Sequence, residues 1–150
     1  MSTQKRKHKR NGEAGYSLLE ILIVLAIMGL LATMVAPRLF TQLDKSKITA
    51  AKAQAKSLRL ALDAYKLDTG SYPNSTEGLT VLIKAPQNNN GTWYGPYLDG
   101  DALPNDPWNN AFVYEAPELD GNGRELSPHV ISLGADNAPG GTGSNADVSS

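Results

Sequence analysis

Between Ile21 and Ala36 no side chain carries a charge, and counted from Leu18 the apolar run is 19 residues long, broken only by Glu20. A helix of that length spans about 28 Å, close to the thickness of a bilayer's hydrocarbon core. Helices that cover a soluble core show an apolar stripe with polar residues opposite. This run has no polar side, so it predicts a membrane-inserted helix. Directly before it, residues 1–15 set Lys5, Arg6, Lys7, Lys9 and Arg10 against a single acid, Glu13. Cations flanking an apolar helix stay on the cytoplasmic side, which sends the C-terminal part outward. Ordinary signal-peptide cleavage needs small residues where the run ends. The best position, after Ala36, has bulky Met34 two residues earlier and Pro37 next. The segment therefore reads as a retained anchor.

The formal net charge of the chain is -1, so with a basic leader everything after it is net acidic. That balance argues against nucleic acid as a partner of the folded part. The chain has no cysteine, which excludes disulfides, thiolate metal sites and a cysteine nucleophile.

After Pro37 the pattern turns amphipathic. Leu39, Phe40 and Leu43 lead into an alanine-rich stretch, and Leu58, Leu62 and Tyr65 recur at spacings of four and three. These lie on one helical face, with Lys45, Lys47, Lys52, Lys56 and Arg59 on the solvated side. The pattern predicts one long helix over about 16–68, with a local break near Pro37 and a stop at Gly70. Ala50, Ala51, Ala53 and Ala55 either let helices approach closely or serve only as good helix formers.

From Ser71 onward the composition shifts to Pro, Gly, Asn and aromatic residues. Residues 75–84 read as a short helix. The run 112–114 and the run 129–133 read as short strands, separated by turn residues. The expected fold class is α+β: a long N-terminal helix packed on a small antiparallel sheet head, with a C-terminal loop. Asp106 before Pro107 reads as turn chemistry and Trp108 as core. Trp93, Tyr94 and Tyr97 read as core or subunit packing ahead of a carbohydrate platform. No catalytic constellation is visible. His8 and His129 are isolated, and there is neither a nucleophile motif nor a phosphate loop, so the chain is not expected to be an enzyme.

The final segment, "SLGADNAPGGTGSNADVSS", carries Asp136 and Asp147 on a run of Gly, Asn, Ser and Thr. By composition it is either a solvated, disordered tail or an all-oxygen site for a hard cation.

The N-terminal stretch "GYSLLEILIVLAIMGLLATMVAP" resembles the start of type IV pilin-like proteins: Gly15, an aromatic at Tyr16, Glu20 four positions on, an apolar run, then Pro37. "TGSYPNSTEGL", "GPYL", "LPNDPWNNAFVY" and "SLGAD" with a later "AD" resemble, in order, the major pseudopilins of type II secretion systems. The resemblance covers Gly15 to Val148. It implies cutting between Gly15 and Tyr16 by a prepilin peptidase and N-methylation of Tyr16. It also implies three regions: a cleaved leader at 1–15, a transmembrane and filament-core helix at 16–38, and a periplasmic head at 39–150 that includes the rest of the long helix. A carboxylate at a bilayer edge is costly and usually finds a partner. In a filament of packed helices Glu20 would pair with the new amino group of a neighbour's Tyr16 and set the register. The bland alternative is a glutamate that snorkels to the interface.

The resemblance further implies calcium in the C-terminal loop, held by Asp136 and Asp147 with the carbonyl of Leu133 and one near Ser144. Gly143 and Asn145 stand where relatives often have carboxylates, and Tyr16 stands where Phe is usual. The implied role is the major subunit of a helical homopolymer in the periplasm of a Gram-negative bacterium. That filament would help push folded exoproteins through an outer-membrane channel. Implied partners are minor pseudopilins, the prepilin peptidase and an inner-membrane platform driven by a cytoplasmic ATPase. The alternative is a type IV pilin for adhesion or DNA uptake. Adhesive pilins usually close a C-terminal loop with two cysteines, and this chain has none.

Overall fold

The computed structural model describes residues 16–87 and 89–150. The leader at 1–15, including Gly15, lies outside the described residues. Two compact units divide the chain after Leu39. One α-helix, α1, runs Leu18–Thr69 over 52 residues. It opens with the Ser17 carbonyl accepting from the Glu20 and Ile21 N–H groups at 3.0 and 3.2 Å. Glu20 lies in this first turn, where a negative charge complements the helix dipole.

In the first unit every large apolar side chain of α1 is exposed, from Leu18 at 80% to Val24 at 45%. The segment is long and apolar enough to cross a bilayer, and none of its most apolar stretch is buried. The break expected near Pro37 is absent: Pro37 lies inside a continuous helix. Proline withdraws only its own N–H, which would bond the carbonyl of Thr33, and its ring holds φ near the helical value. One lost rung among so many does not end the helix.

The second unit is the head. Here α1 buries Ala51, Ala55, Leu58, Ala61, Leu62 and Tyr65, a stripe at helical spacing. Leu58 and Leu62 are at most 1% exposed, and burying each stabilises the head by about 1.5–3 kcal/mol. Leu79, Val81, Leu82, Phe112 and Val130 complete the core. The four alanines divide between core and solvent. Ala51 and Ala55 are fully buried, whereas Ala50 and Ala53 face solvent. Gly70 ends the helix, its N–H donating to the Lys66 carbonyl at 2.8 Å.

Beyond the helix the expected α-helix at 75–84 is instead a 3-10 helix at Gly78–Leu82. It is too short for an amphipathic α stripe, and it delivers Leu79, Val81 and Leu82 to the core within one turn. Three strands follow: β1 (Val113–Glu115), β2 (His129–Ser132) and β3 (Val148–Ser149). They pair antiparallel in the order β1-β2-β3. The register sets Tyr114 opposite Val130 and Ser132 opposite Val148. The first strand begins one residue later than expected, and Phe112 is buried just before it. Trp108, expected in the core, is only half-buried and lies outside the main cluster. Trp93 and Tyr97 pack against that cluster instead.

Candidate functional site

Two stretches carry the residues singled out by the sequence: the start of α1 and the loop between β2 and β3. At the start of α1, Tyr16 is 79% exposed and Glu20 is exposed as well. Glu20 has no ion-pair partner among the described residues. The start of α1 therefore offers an aromatic side chain, a carboxylate without an ion pair among the described residues and an exposed apolar helix. This combination needs either lipid or other helices to cover it.

The loop from Leu133 to Asp147 is held rather than loose. Ser132 is fully buried, and its hydroxyl donates to Oδ2 of Asp106 at 2.5 Å. The same hydroxyl accepts from the Gly134 N–H at 3.3 Å. Asn110 Nδ2 donates to the Gly134 carbonyl at 2.8 Å. Asp106 is itself 4% exposed, and its Oδ1 accepts from the N–H groups of Trp108 and Asn110 at 3.0 and 2.8 Å. This buried carboxylate therefore joins the turn at 106–110 to β2 and to the first residues of the loop. Within the loop the Ala135 N–H donates to the Ser144 carbonyl at 2.9 Å. Gly134 has φ of 71°, and a Cβ there would lie 2.8 Å from the Ser144 oxygen. Gly141, also at positive φ, abuts Asn145 in the same way. Both positions need glycine for conformation and for close approach.

The four expected ligand residues fall in this loop. Leu133 and Asp147 flank the Ser132–Val148 pair at one end of the sheet. Ser144 comes beside Gly134 and Ala135. Asp136 Oδ1 accepts from the Ala138 N–H at 3.3 Å, and Asp147 Oδ2 accepts from the Gly140 N–H at 2.9 Å. One oxygen of each exposed carboxylate thus stays clear of a loop amide. Among the described residues no group of three or more His, Cys, Asp or Glu is placed to hold a metal. The donor set is two carboxylates and backbone carbonyls, all oxygen, and it suits a hard cation in kind.

The aromatic residues lie elsewhere and do other work. Trp93 Nε1 donates to the Val81 carbonyl at 2.7 Å. Tyr97 stands edge-on to both Tyr65 and Trp93, with centroids at 5.8 and 5.9 Å, and its hydroxyl donates to Asp68 at 2.8 Å. Only Tyr94 is strongly exposed, at 75%, so these rings brace the core rather than form an open stacking platform. Burial and the Asp63 carboxylate that accepts its hydroxyl proton push the Tyr72 phenol up to about 12. Burial likewise pushes the Tyr114 phenol up, and its hydroxyl donates to the Pro73 carbonyl at 2.7 Å. His129 sits exposed on β2, opposite Glu115.

Sequence reading missed the Asp106–Ser132–Asn110 latch. The signal was present as an acid before a proline and a serine inside an apolar strand, but their meeting is a long-range contact.

Residues 38–150 match the family described as type II secretion system, protein G, and residues 10–36 match the prokaryotic N-terminal methylation motif. The chain is 39% identical over 144 residues to type II secretion system core protein G of Pseudomonas aeruginosa, covering 93% of this chain and 96% of that one. It is 37% identical over 142 residues to the protein of the same name from Vibrio cholerae serotype O1, covering 93% and 92%. Among solved structures, the major pseudopilin from the type 2 secretion system of enterohaemorrhagic Escherichia coli superposes with a TM-score of 0.57 at 24% identity. That superposition covers 75% of this chain and 93% of that chain, a likeness of fold.

Proposed function

The chain belongs to the type II secretion system protein G family, and from that premise we infer that it is the major structural subunit of the secretion pseudopilus. The observation that carries this reading is the exposed apolar first segment of α1, on a chain whose remainder is a family head. Such a segment is stable in lipid, and it is stable again when helices of other copies cover it.

On this reading the prepilin peptidase cuts between Gly15 and Tyr16 and Tyr16 is N-methylated. The new helix start stays in the inner membrane, with the head in the periplasm. The assembly platform, driven by a cytoplasmic ATPase, extracts the subunit and adds it to a helical homopolymer capped by minor pseudopilins. Growth of that filament moves folded exoproteins toward the outer-membrane channel. Glu20 gives each incoming subunit a fixed register, because its carboxylate leaves the bilayer edge only when it meets the Tyr16 amine of a neighbour. Asp136 and Asp147, with the carbonyls of Leu133 and Ser144, hold calcium in the β2–β3 loop. Bound there, calcium would neutralise the Asp136 and Asp147 carboxylates, and those residues with Leu133 and Ser144 would tie the loop to the sheet end.

A strain lacking the protein should retain its exoproteins and regain secretion when the chain is supplied. Surface fibres built from the chain where it is present, together with normal secretion in the strain that lacks it, would overturn the reading in favour of an adhesive or DNA-uptake pilin. The Glu20→Ala chain should still be cut yet yield no filaments. Filaments of normal length from that variant would refute the register role.

A further inference from the structure

Charge is divided unevenly along the head. Residues 38–67 hold seven basic and two acidic side chains, whereas residues 68–150 hold two basic and eleven acidic ones. Among the described residues the only ion pair is Lys66–Glu125, at 2.7 Å. Most of the helix cations and most of the head carboxylates are therefore without an opposite charge in contact.

The cations are ordered. Lys45, Lys52, Lys56, Leu60 and Leu67 follow one another at spacings of seven, four, four and seven, which puts them on one face of α1. All five are exposed, Leu60 by 55% and Leu67 by 86%. This face is distinct from the stripe of Ala51, Ala55, Leu58, Leu62 and Tyr65 that packs on the core. Cations four apart on a helix repel one another, and exposed leucines gain nothing from water. A covering surface that is acidic and partly apolar would relieve both.

The head carries such a surface. Past β1 the chain forms an arm in which Leu119 bridges to Glu125. Its tip is held by Asp120 Oδ1, which accepts from the N–H groups of Asn122 and Arg124 at 2.9 and 2.7 Å. Leu119 is 68% exposed and Leu126 48%. At the base of the arm Glu115, Glu118, Leu126 and His129 line a cleft of about 470 Å³. Neither Glu115 nor Glu118 has an ion-pair partner among the described residues.

We propose that these two faces meet between copies: the Lys52–Lys56–Leu60–Leu67 face of one subunit docks on the Glu115–Glu118–Leu119–Leu126 arm of the next. The proposal rests on the filament reading above and adds which surfaces of the head touch. The partner is a second copy because the two patches are complementary in charge and in apolar content, and every copy carries both. Two different patches on one molecule make a head-to-tail contact, which gives a closed ring or an open helical array instead of a two-fold dimer, and the filament reading selects the array. A charged contact of this kind weakens with salt.

The test uses the full chain in cells that assemble the filament. Lys52→Glu with Lys56→Glu should cut the yield of sheared filaments at least tenfold, and so should Glu115→Lys with Glu118→Lys. Leader cleavage and the melting midpoint of the head should stay unchanged in both. A chain carrying all four substitutions should recover a third or more of the original yield, which a merely structural defect would not do. Because the chain has no cysteine, Lys56→Cys combined with Glu118→Cys should give a clean oxidative ladder of linked copies in isolated membranes. That ladder reports the contact even where the secretion assay fails. Normal filaments from either double variant, or a quadruple variant no better than the doubles, would overturn the proposal. So would a Lys52/Lys56 double variant that assembles normally but no longer binds phosphatidylglycerol vesicles, since the flank would then be a lipid contact.

Discussion

The two ends of α1 belong to one continuous helix and behave in opposite ways. From Leu18 to Val35 leucine, isoleucine, valine and alanine point in every direction and all are exposed. From Ala51 to Tyr65 the apolar residues gather on one stripe, and that stripe is buried. The difference is that Lys52, Lys56, Arg59 and Asp63 divide the second stretch into an apolar stripe and a polar side, whereas Glu20 is the one charge in the first. A stripe can be covered by one small sheet and one turn of 3-10 helix. A helix that is apolar all round can be covered only by lipid or by several other helices. The subunit therefore carries one region satisfied within itself and one that waits for an assembly.

That contrast can be tested by truncating a leucine in each region. Leu62→Ala should lower the stability of the head by about 2–5 kcal/mol, seen as a lower melting midpoint of the full chain in detergent. Leu22→Ala should leave that midpoint within about 0.5 kcal/mol of the original. Equal losses at the two sites would erase the distinction.

The latch offers a finer test of what the head satisfies internally. Asp106→Ala strips the buried Ser132 hydroxyl and two part-buried backbone N–H groups of their acceptor. The expected loss is about 1–3 kcal/mol, together with faster amide exchange at Gly134 and Asn110. Unchanged exchange at those two amides would show that the loop is held some other way.

The calcium reading predicts an effect that depends on the ion. Asp136→Ala should melt earlier than the original chain in calcium and at the same temperature in chelator. With the ion at about 100 times its dissociation constant, the difference should approach 2.7 kcal/mol. Equal midpoints in calcium would end that reading.

The smallest effect expected is at high pH. The Tyr72 phenol is raised from 10.0 to about 12 in the folded head. The unfolded chain therefore loses this proton first as pH rises. The stabilisation is complete below pH 10, and it is lost between there and about 12. Melting midpoints should fall across that window, and Tyr72→Phe should make the fall shallower. A profile flat to pH 12 would show that burial and the Asp63 contact do not hold the Tyr72 phenol up.

Much of this was legible in the chain, for identifiable reasons. The membrane run, the core stripe at Leu58, Leu62 and Tyr65, and the two central strands are local patterns, and period alone reveals them. The Gly15–Tyr16–Glu20 signature is equally local. The strand β3 was not legible: two residues, Val148 and Ser149, have too little pattern to announce a strand, and they become one only because β2 has a free edge beside them. The 3-10 helix replaced an α-helix because the chain must turn three apolar residues inward within five positions. Trp93 packs against the core as its reading allowed, whereas Trp108, expected in the core, is only half-buried and lies outside the main cluster.

Sequence alone determined which parts of this protein seek an apolar environment, since transfer out of water depends on residue type and spacing. It also determined the family, through motifs carried in order along nearly the whole chain. The tertiary structure decided which polar groups meet: that a buried Asp106 would reach Ser132 across 26 positions, and that Gly134 would sit against Ser144. Hydrogen bonds are directional and short, so they depend on coordinates that no local pattern contains. The hydrophobic effect is neither, and so the exposed apolar segment of α1 could be read from the chain before any fold was known.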